Sequence, residues 1–130
     1  MKDELLEQKE EWEGAVARDE RLRRLVPLEE DVAILTLSVA AKAAALEASS
    51  FSRYFHQVVG VPFRRWRAVL RVSRAIELLR ETSWSVEDIA QEVGYGDARS
   101  LRRAMRHFSG CGPADIRGRA EPHGTGDPRG

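Results

Sequence analysis

Apolar residues recur along this chain three and four positions apart, the spacing that lines one face of a helix. From Asp3 to Leu25, a run of Glu, Leu, Arg and Ala favours helix, with Leu5, Trp12, Val16 and Leu22 as a broken apolar stripe. Pro27 interrupts this helix or starts the next, and Leu28 to Leu35 reads as a short helix followed by a turn. Thr36 is placed to cap an alanine-lined helix on Leu37, Ala40, Ala41, Ala44 and Ala45. A tight turn at Leu46-Glu47-Ala48 leads to a helix carrying Phe51, Tyr54, Phe55 and Val58, which Gly60 and Pro62 stop. Phe63 to Arg80 predicts a long helix, with Trp66, Val69, Leu70, Val72, Ile76 and Leu79 set among arginines. Thr82-Ser83-Trp84-Ser85 breaks it, and Ser85 with Asp88 supplies the next start signal. Ile89, Ala90 and Val93 line the helix that follows. After the turn Gly94-Tyr95-Gly96-Asp97, Leu101, Ala104, Met105 and Phe108 line another, which Gly110-Cys111-Gly112-Pro113 ends. The fold class is all-α.

One unit occurs twice. Ala41, Phe51, Arg53, Phe55 and Gly60 match Ala90, Leu101, Arg103, Met105 and Gly110 at offsets of about 50 residues, and Pro62 matches Pro113. Each copy is a short helix, a tight turn, and a second helix in which two apolar residues four apart flank an arginine. The alanine lets the second helix pack close across the first, and the apolar pair buries one face. The opposite face is then free to enter a DNA major groove. One helix-turn-helix pattern is a weak signal, since many helical bundles mimic it, whereas a tandem pair is a strong one. The intervening helix of about 18 residues is about 27 Å long, which with the flanking helix pairs sets the two second helices roughly one DNA turn, about 34 Å, apart.

Composition bounds the alternatives. At 130 residues, 42% hydrophobic and 32% charged, the chain suits one globular domain with appendages. Its zero net charge hides an asymmetry. Residues 1–35 carry 6 Lys/Arg against 11 Asp/Glu, while residues 36–117 carry 13 against 8, an acidic head on a basic body. Cys111 is the sole cysteine, so no internal disulfide is possible. The first residues show no secretory signal, and the longest apolar stretch, Val32 to Leu46, is too short for a bilayer and contains Lys42. A cytoplasmic, nucleoid-associated protein is expected. His56, His107 and His123 lack metal-ligand spacing, no cofactor motif is present, and neither a catalytic triad nor a phosphate-cradling glycine loop appears, so an enzyme is not expected.

These residues resemble the DNA-binding domain of the AraC/XylS family of bacterial transcription regulators, over roughly Thr36 to Arg117. The most specific stretches run from Ser85 to Tyr95 and from Gly110 to Arg117. Phe51-Ser52-Arg53-Tyr54-Phe55 and Gly60-Val61-Pro62-Phe63-Arg64-Arg65-Trp66 carry the first unit into the linker helix, where Arg71, Ala75, Leu78 and Leu79 keep the usual pattern. The residues read as an acidic helical segment (1–35), a first helix-turn-helix (36–62), a linker helix (63–82), a second helix-turn-helix (83–117) and a Gly- and Pro-rich tail (118–130) without structure, and the resemblance covers the middle three. It places base-facing positions on Ser49, Ser52 and Arg53 in the first unit, and on Ala98, Arg99, Arg102 and Arg103 in the second. It also suggests a small regulator without the ligand-sensing domain of many members. Two departures weaken the first unit: Ala45 and Glu47 stand where a glycine and a capping serine are usual, and a glutamate there repels phosphate. Leu101, Met105 and Ile116 replace common aromatics but keep the core apolar.

The expected partner is double-stranded DNA, bound by a monomer or weak dimer, with RNA polymerase as a further candidate and no membrane. Arg99, Arg102, Arg103 and Arg106 crowd one short helix, and arginine pairs with guanine O6 and N7 or clamps phosphate. Arg64, Arg65, Arg67 and Arg106 are the phosphate candidates, although a solvated face fits the first three almost equally, and Arg53 suits a structural salt bridge as well as a base. Trp66 and Trp84 fit core or interface better than base stacking. The rival function is an interaction module docking through its acidic N-terminal helix, with weak DNA binding.

Overall fold

Asp19 decides where the first helix stops. In the computed structural model, which describes residues 2–120, α1 (Lys2–Arg18) ends just before it. Its carboxylate accepts the backbone N–H groups of Arg21 and Leu22, each at 3.0 Å, a local bond that competes with helix continuation. The helix expected across residues 3–25 is therefore broken, and Leu22–Glu30 winds as a 3-10 helix containing Pro27. Side chains three apart eclipse in such a helix, so Leu22 and Leu25 are fully buried and Leu28 packs beside them.

The chain continues through α2 (Leu37–Ala43), α3 (Ala48–Val59), α4 (Phe63–Glu81), α5 (Val86–Val93), α6 (Ala98–Ser109) and α7 (Pro113–Ala120), with no strand among the described residues. The spine is α4. It contacts α1 and α3 as well as α5, α6 and α7, which is why its buried residues, from Phe63 through Trp66, Leu70 and Ile76 to Leu79, spread over more than one face. Against its start, Phe51 and Phe55 of α3 meet Phe63 edge-on, with ring centroids 5.3 and 5.5 Å apart, and Phe55 lies 5.4 Å from Trp66. Ile89, Val93, Leu101, Met105 and Ile116 of α5, α6 and α7 are buried in the same core, and all three helices contact α4.

No helix was expected at α7, where Pro113 read as a stop. It sits instead at the first helical position, where a missing N–H is harmless, and Asp115 accepts the Gly112 N–H at 2.8 Å. From α7, Arg117 donates through Nε to the Leu79 carbonyl at 3.1 Å and through Nη2 to that of Thr82 at 3.0 Å. It thereby satisfies carbonyls that the end of α4 leaves open. Of the tail expected to lack structure, residues 118–120 continue α7, and residues 121–130, with His123, lie outside the described residues.

Glu29 of the 3-10 helix faces Glu13 of α1, itself paired with Lys9 at 3.0 Å. Burial, then the neighbouring Glu13 carboxyl, raises Glu29 from its ordinary value to about 7. Its folded pKa thus lies above its unfolded one, so the stability it contributes is fully present below about 4.5 and is lost as pH rises to 7. Glu29→Gln is expected to remove this slope. Measured by urea denaturation, it should be more stable than the parent at pH 8 by on the order of 1 kcal/mol, discounted for partial exposure, and level with it near pH 4; equal curves at both values would refute the assignment.

Candidate nucleic-acid interface

The two helix pairs, α2 with α3 and α5 with α6, turn on the same hydrogen bonds. Leu46 N–H donates to the Ala41 carbonyl at 2.9 Å, and Tyr95 N–H donates to that of Ala90 at 2.8 Å. Each turn needs a left-handed residue after its first helix. In the second unit this is Gly94, with φ +101°. A methyl group there would meet Arg71 Cζ at 2.9 Å and the Ala33 backbone at 3.0 Å, so space as well as conformation requires glycine. In the first unit the equivalent residue is Ala45, forced to φ +60°.

The starts of the second helices differ in the same way. Asp97 caps α6 by accepting the Ser100 N–H at 2.8 Å, a bond that holds its carboxyl below the usual range. Glu47 occupies the same place before α3 and makes no side-chain cap bond. Relieving the strain in Ala45→Gly is expected to stabilise the fold by about 1 kcal/mol, and Glu47→Ser to add about 0.5–1 kcal/mol by supplying the cap. Thermal unfolding of the single and double variants checks both; a lower melting temperature for Ala45→Gly would contradict the strain.

On α6, Leu101, Met105 and Ser109 face inward while Arg99, Arg102, Arg103 and Arg106 are exposed. At 3.6 residues per turn the four fall within about 100° of arc, and none forms an ion pair among the described residues. The Arg106 guanidinium lies over the following turn, where a methyl group on Gly112 would come within 3.1 Å of its Nη2. Ala98, expected to face bases, is only 2% exposed. Its methyl group packs inward from the first turn of α6, leaving no surface for a base.

On α3, Ser49 and Arg53 are exposed and Ser52 is half-buried, and Arg53 makes no ion pair among the described residues. The offset of about 50 residues aligns Ser49, Ser52 and Arg53 with Arg99, Arg102 and Arg103. It also aligns His56, exposed and not foreseen, with Arg106. The repeat already contained that signal. The first stripe thus has one arginine where the second has four.

Arg64 and Arg65, at the start of α4, are exposed, and Arg67 is half-buried with its guanidinium 5.7 Å from the Phe63 ring centre. Trp66 is buried in the aromatic cluster and Trp84 is exposed between α4 and α5. The acidic helix α1 is packed into the body. Leu5, Trp12 and Val16 are buried, it touches α3, α4 and α6, and just beyond its end Asp19 accepts the Tyr54 hydroxyl at 2.9 Å. Among the described residues no group of His, Cys, Asp and Glu gathers to hold a metal, and no helix is long and apolar enough to cross a membrane.

Comparison with known proteins places this arrangement. A family model described as a helix-turn-helix domain matches residues 40–119. The chain is 33% identical over 116 residues to the HTH-type transcriptional activator RhaS of Citrobacter koseri, which covers 87% of this chain and 41% of that protein. It is 35% identical over 74 residues to the HTH-type transcriptional activator RhaR of Mannheimia succiniciproducens, covering 57% and 27%. The chain therefore spans about two fifths or less of the length of these relatives. Among solved structures, it resembles a transcriptional regulator with an AraC-type DNA-binding domain from Chromobacterium violaceum, with TM-score 0.68 and 26% identity over 78% of this chain and 94% of that one. It shares its fold with the DNA-binding domain of the global transcriptional factor AdpA, solved with a target DNA, at TM-score 0.70 and 24% identity over 82% and 99%.

Proposed function

The chain belongs to the AraC-type helix-turn-helix family, and on that premise we propose that it is a sequence-specific double-stranded DNA-binding regulator of transcription. The observation that carries the reading is the stripe of exposed arginines on α6, the second helix of a helix-turn-helix, with no ion pair to them among the described residues. Paired carboxylates would hold such side chains flat, whereas unpaired guanidinium forks are ready for guanine edges and phosphates.

In this reading Arg99, Arg102 and Arg103 read bases in one major-groove segment, and Ser49, Ser52 and Arg53 make a weaker set of contacts in the next. Arg64, Arg65, Arg67 and Arg106 hold phosphates, the last because its head is turned toward the end of its helix. One chain carries both reading helices, so a monomer suffices for a site of about 15–20 base pairs. The exposed acidic face of α1 is left for a protein partner such as RNA polymerase, and the chain acts in the cytoplasm on the nucleoid. Selection from a random duplex pool tests the proposal. The expected product is a bipartite motif whose half under α6 is the better defined, and a pool that stays unenriched after repeated rounds would refute it.

A further inference from the structure

A groove of about 370 Å³ runs between α4 and the second unit, with Arg64, Arg65, Arg67 and Arg71 along one wall and Tyr95 and His107 on the other. Arg64, Arg67 and Arg71 follow one face of α4 at three- and four-residue spacing, and no carboxylate lines the space. None of the four arginines forms an ion pair among the described residues. Two are fixed by their surroundings. Arg71 donates through Nε to the Val32 carbonyl at 3.4 Å and its guanidinium lies 5.5 Å from the Tyr95 ring centre. Arg67 rests over Phe63. Holding these heads close without a counter-charge is unfavourable unless an anion enters; burial, then the nearby Arg67, lowers the Arg71 pKa in keeping with that.

We infer that this groove is a binding site for a phosphate group, separate from the base-reading stripe of α6. Guanidinium forks set along one wall match the oxygens of a phosphate, which accepts multiple charge-assisted hydrogen bonds. The space exceeds what a bare phosphate fills and lies in the range of small-ligand sites, about 300–1,000 Å³. Tyr95 and His107 line the same space, where whatever the phosphate is attached to would lie. The occupant is thus a phosphate ester, supplied either by the DNA backbone or by a free phosphorylated small molecule. The first source rests on the DNA-binding reading; the second does not.

Two measurements on the full chain separate these. Pyrophosphate titrated calorimetrically into the parent should bind saturably, and about tenfold more weakly to Arg67→Gln and to the exposed Arg64→Gln. Arg80→Gln, an equal change of charge about 20 Å further along α4, should stay within about twofold of the parent. In the second arm, a duplex selected by the chain carries a neutral methylphosphonate at each backbone position in turn. If DNA is the occupant, one position weakens the parent about tenfold but weakens Arg67→Gln no further, as coupled partners must. If a free ester is the occupant, no position is coupled, and pyrophosphate still binds when DNA is present. Absence of both pyrophosphate binding and a coupled position overturns the site, as does an equal loss in Arg80→Gln, which would mean diffuse charge. Should the chain select no duplex, the DNA reading fails while the pyrophosphate arm still judges the groove.

Discussion

Replacing Arg99, Arg102 and Arg103 together by alanine is expected to lower affinity for a selected duplex about a thousandfold, to the level shown for unrelated DNA. Each arginine that pairs with a base edge discriminates by about 1–3 kcal/mol, and the whole margin of specific over non-specific binding starts near 10³. Removing three such contacts from the unit that carries most of the cationic stripe uses up that margin. The fold should not suffer. All three side chains are exposed and unpaired among the described residues, and alanine favours helix at least as well as arginine. Fluorescence anisotropy at one stated salt concentration, with selected and scrambled duplexes, measures the ratio directly. The matching triple change at Ser49, Ser52 and Arg53 should cost far less, because only one of those positions carries charge. A triple arginine variant that still prefers the selected duplex by more than about tenfold would remove α6 from the reading role.

Phe55→Ala should destabilise the whole chain by about 3–5 kcal/mol. The ring is fully buried and lies 5.9, 5.5 and 5.4 Å from the rings of Phe51, Phe63 and Trp66. That is a large part of the roughly 5–15 kcal/mol holding a typical domain together. The effect should also reach the second unit, because Phe63 and Trp66 belong to α4, which also contacts α5, α6 and α7. Urea denaturation gives the size of the loss, and amide hydrogen exchange shows its reach. Amides of α6 should lose protection along with those of α3; if only α3 opened, the two units would be separate folding bodies.

The second unit was legible because its signals are local. Ser85 accepts the Asp88 N–H three residues on, Gly94 and Gly110 close helices, and the arginine stripe follows from spacing alone. The parts that escaped depend on partners distant in sequence or on a choice between close alternatives. Asp19 looked like one more charged helix residue, because nothing local says that its carboxylate will take the Arg21 and Leu22 N–H groups. The three-residue spacing of Leu22, Leu25 and Leu28 was visible, but it reads as helix unless that break is known. Pro113 suits the end of one helix and the start of another, and Arg117 reaches carbonyls 38 and 35 residues back. Ala98 matches a base-facing position only through the family resemblance, and an alanine gives no hint of which way its methyl group points. Arg64, Arg65 and Arg67 were recognisable as a cationic run. The opposing wall of Tyr95 and His107 was not, since only packing brings α6 alongside α4.

The unbroken course of α4 has a consequence for how such a protein changes over time. An α-helix is a screw, so one inserted residue advances everything beyond it by only about 1.5 Å but rotates it by about 100°. With α4 buried on several sides, that rotation would drive apolar residues into solvent and turn the second unit relative to the first. In the proposed reading, the interval between the two halves of a target is therefore locked to the pitch of this helix, against a duplex that repeats every 10–10.5 base pairs or so. Such a regulator acquires new targets by exchanging the letters it reads within two fixed windows, while the phase between those windows stays as inherited.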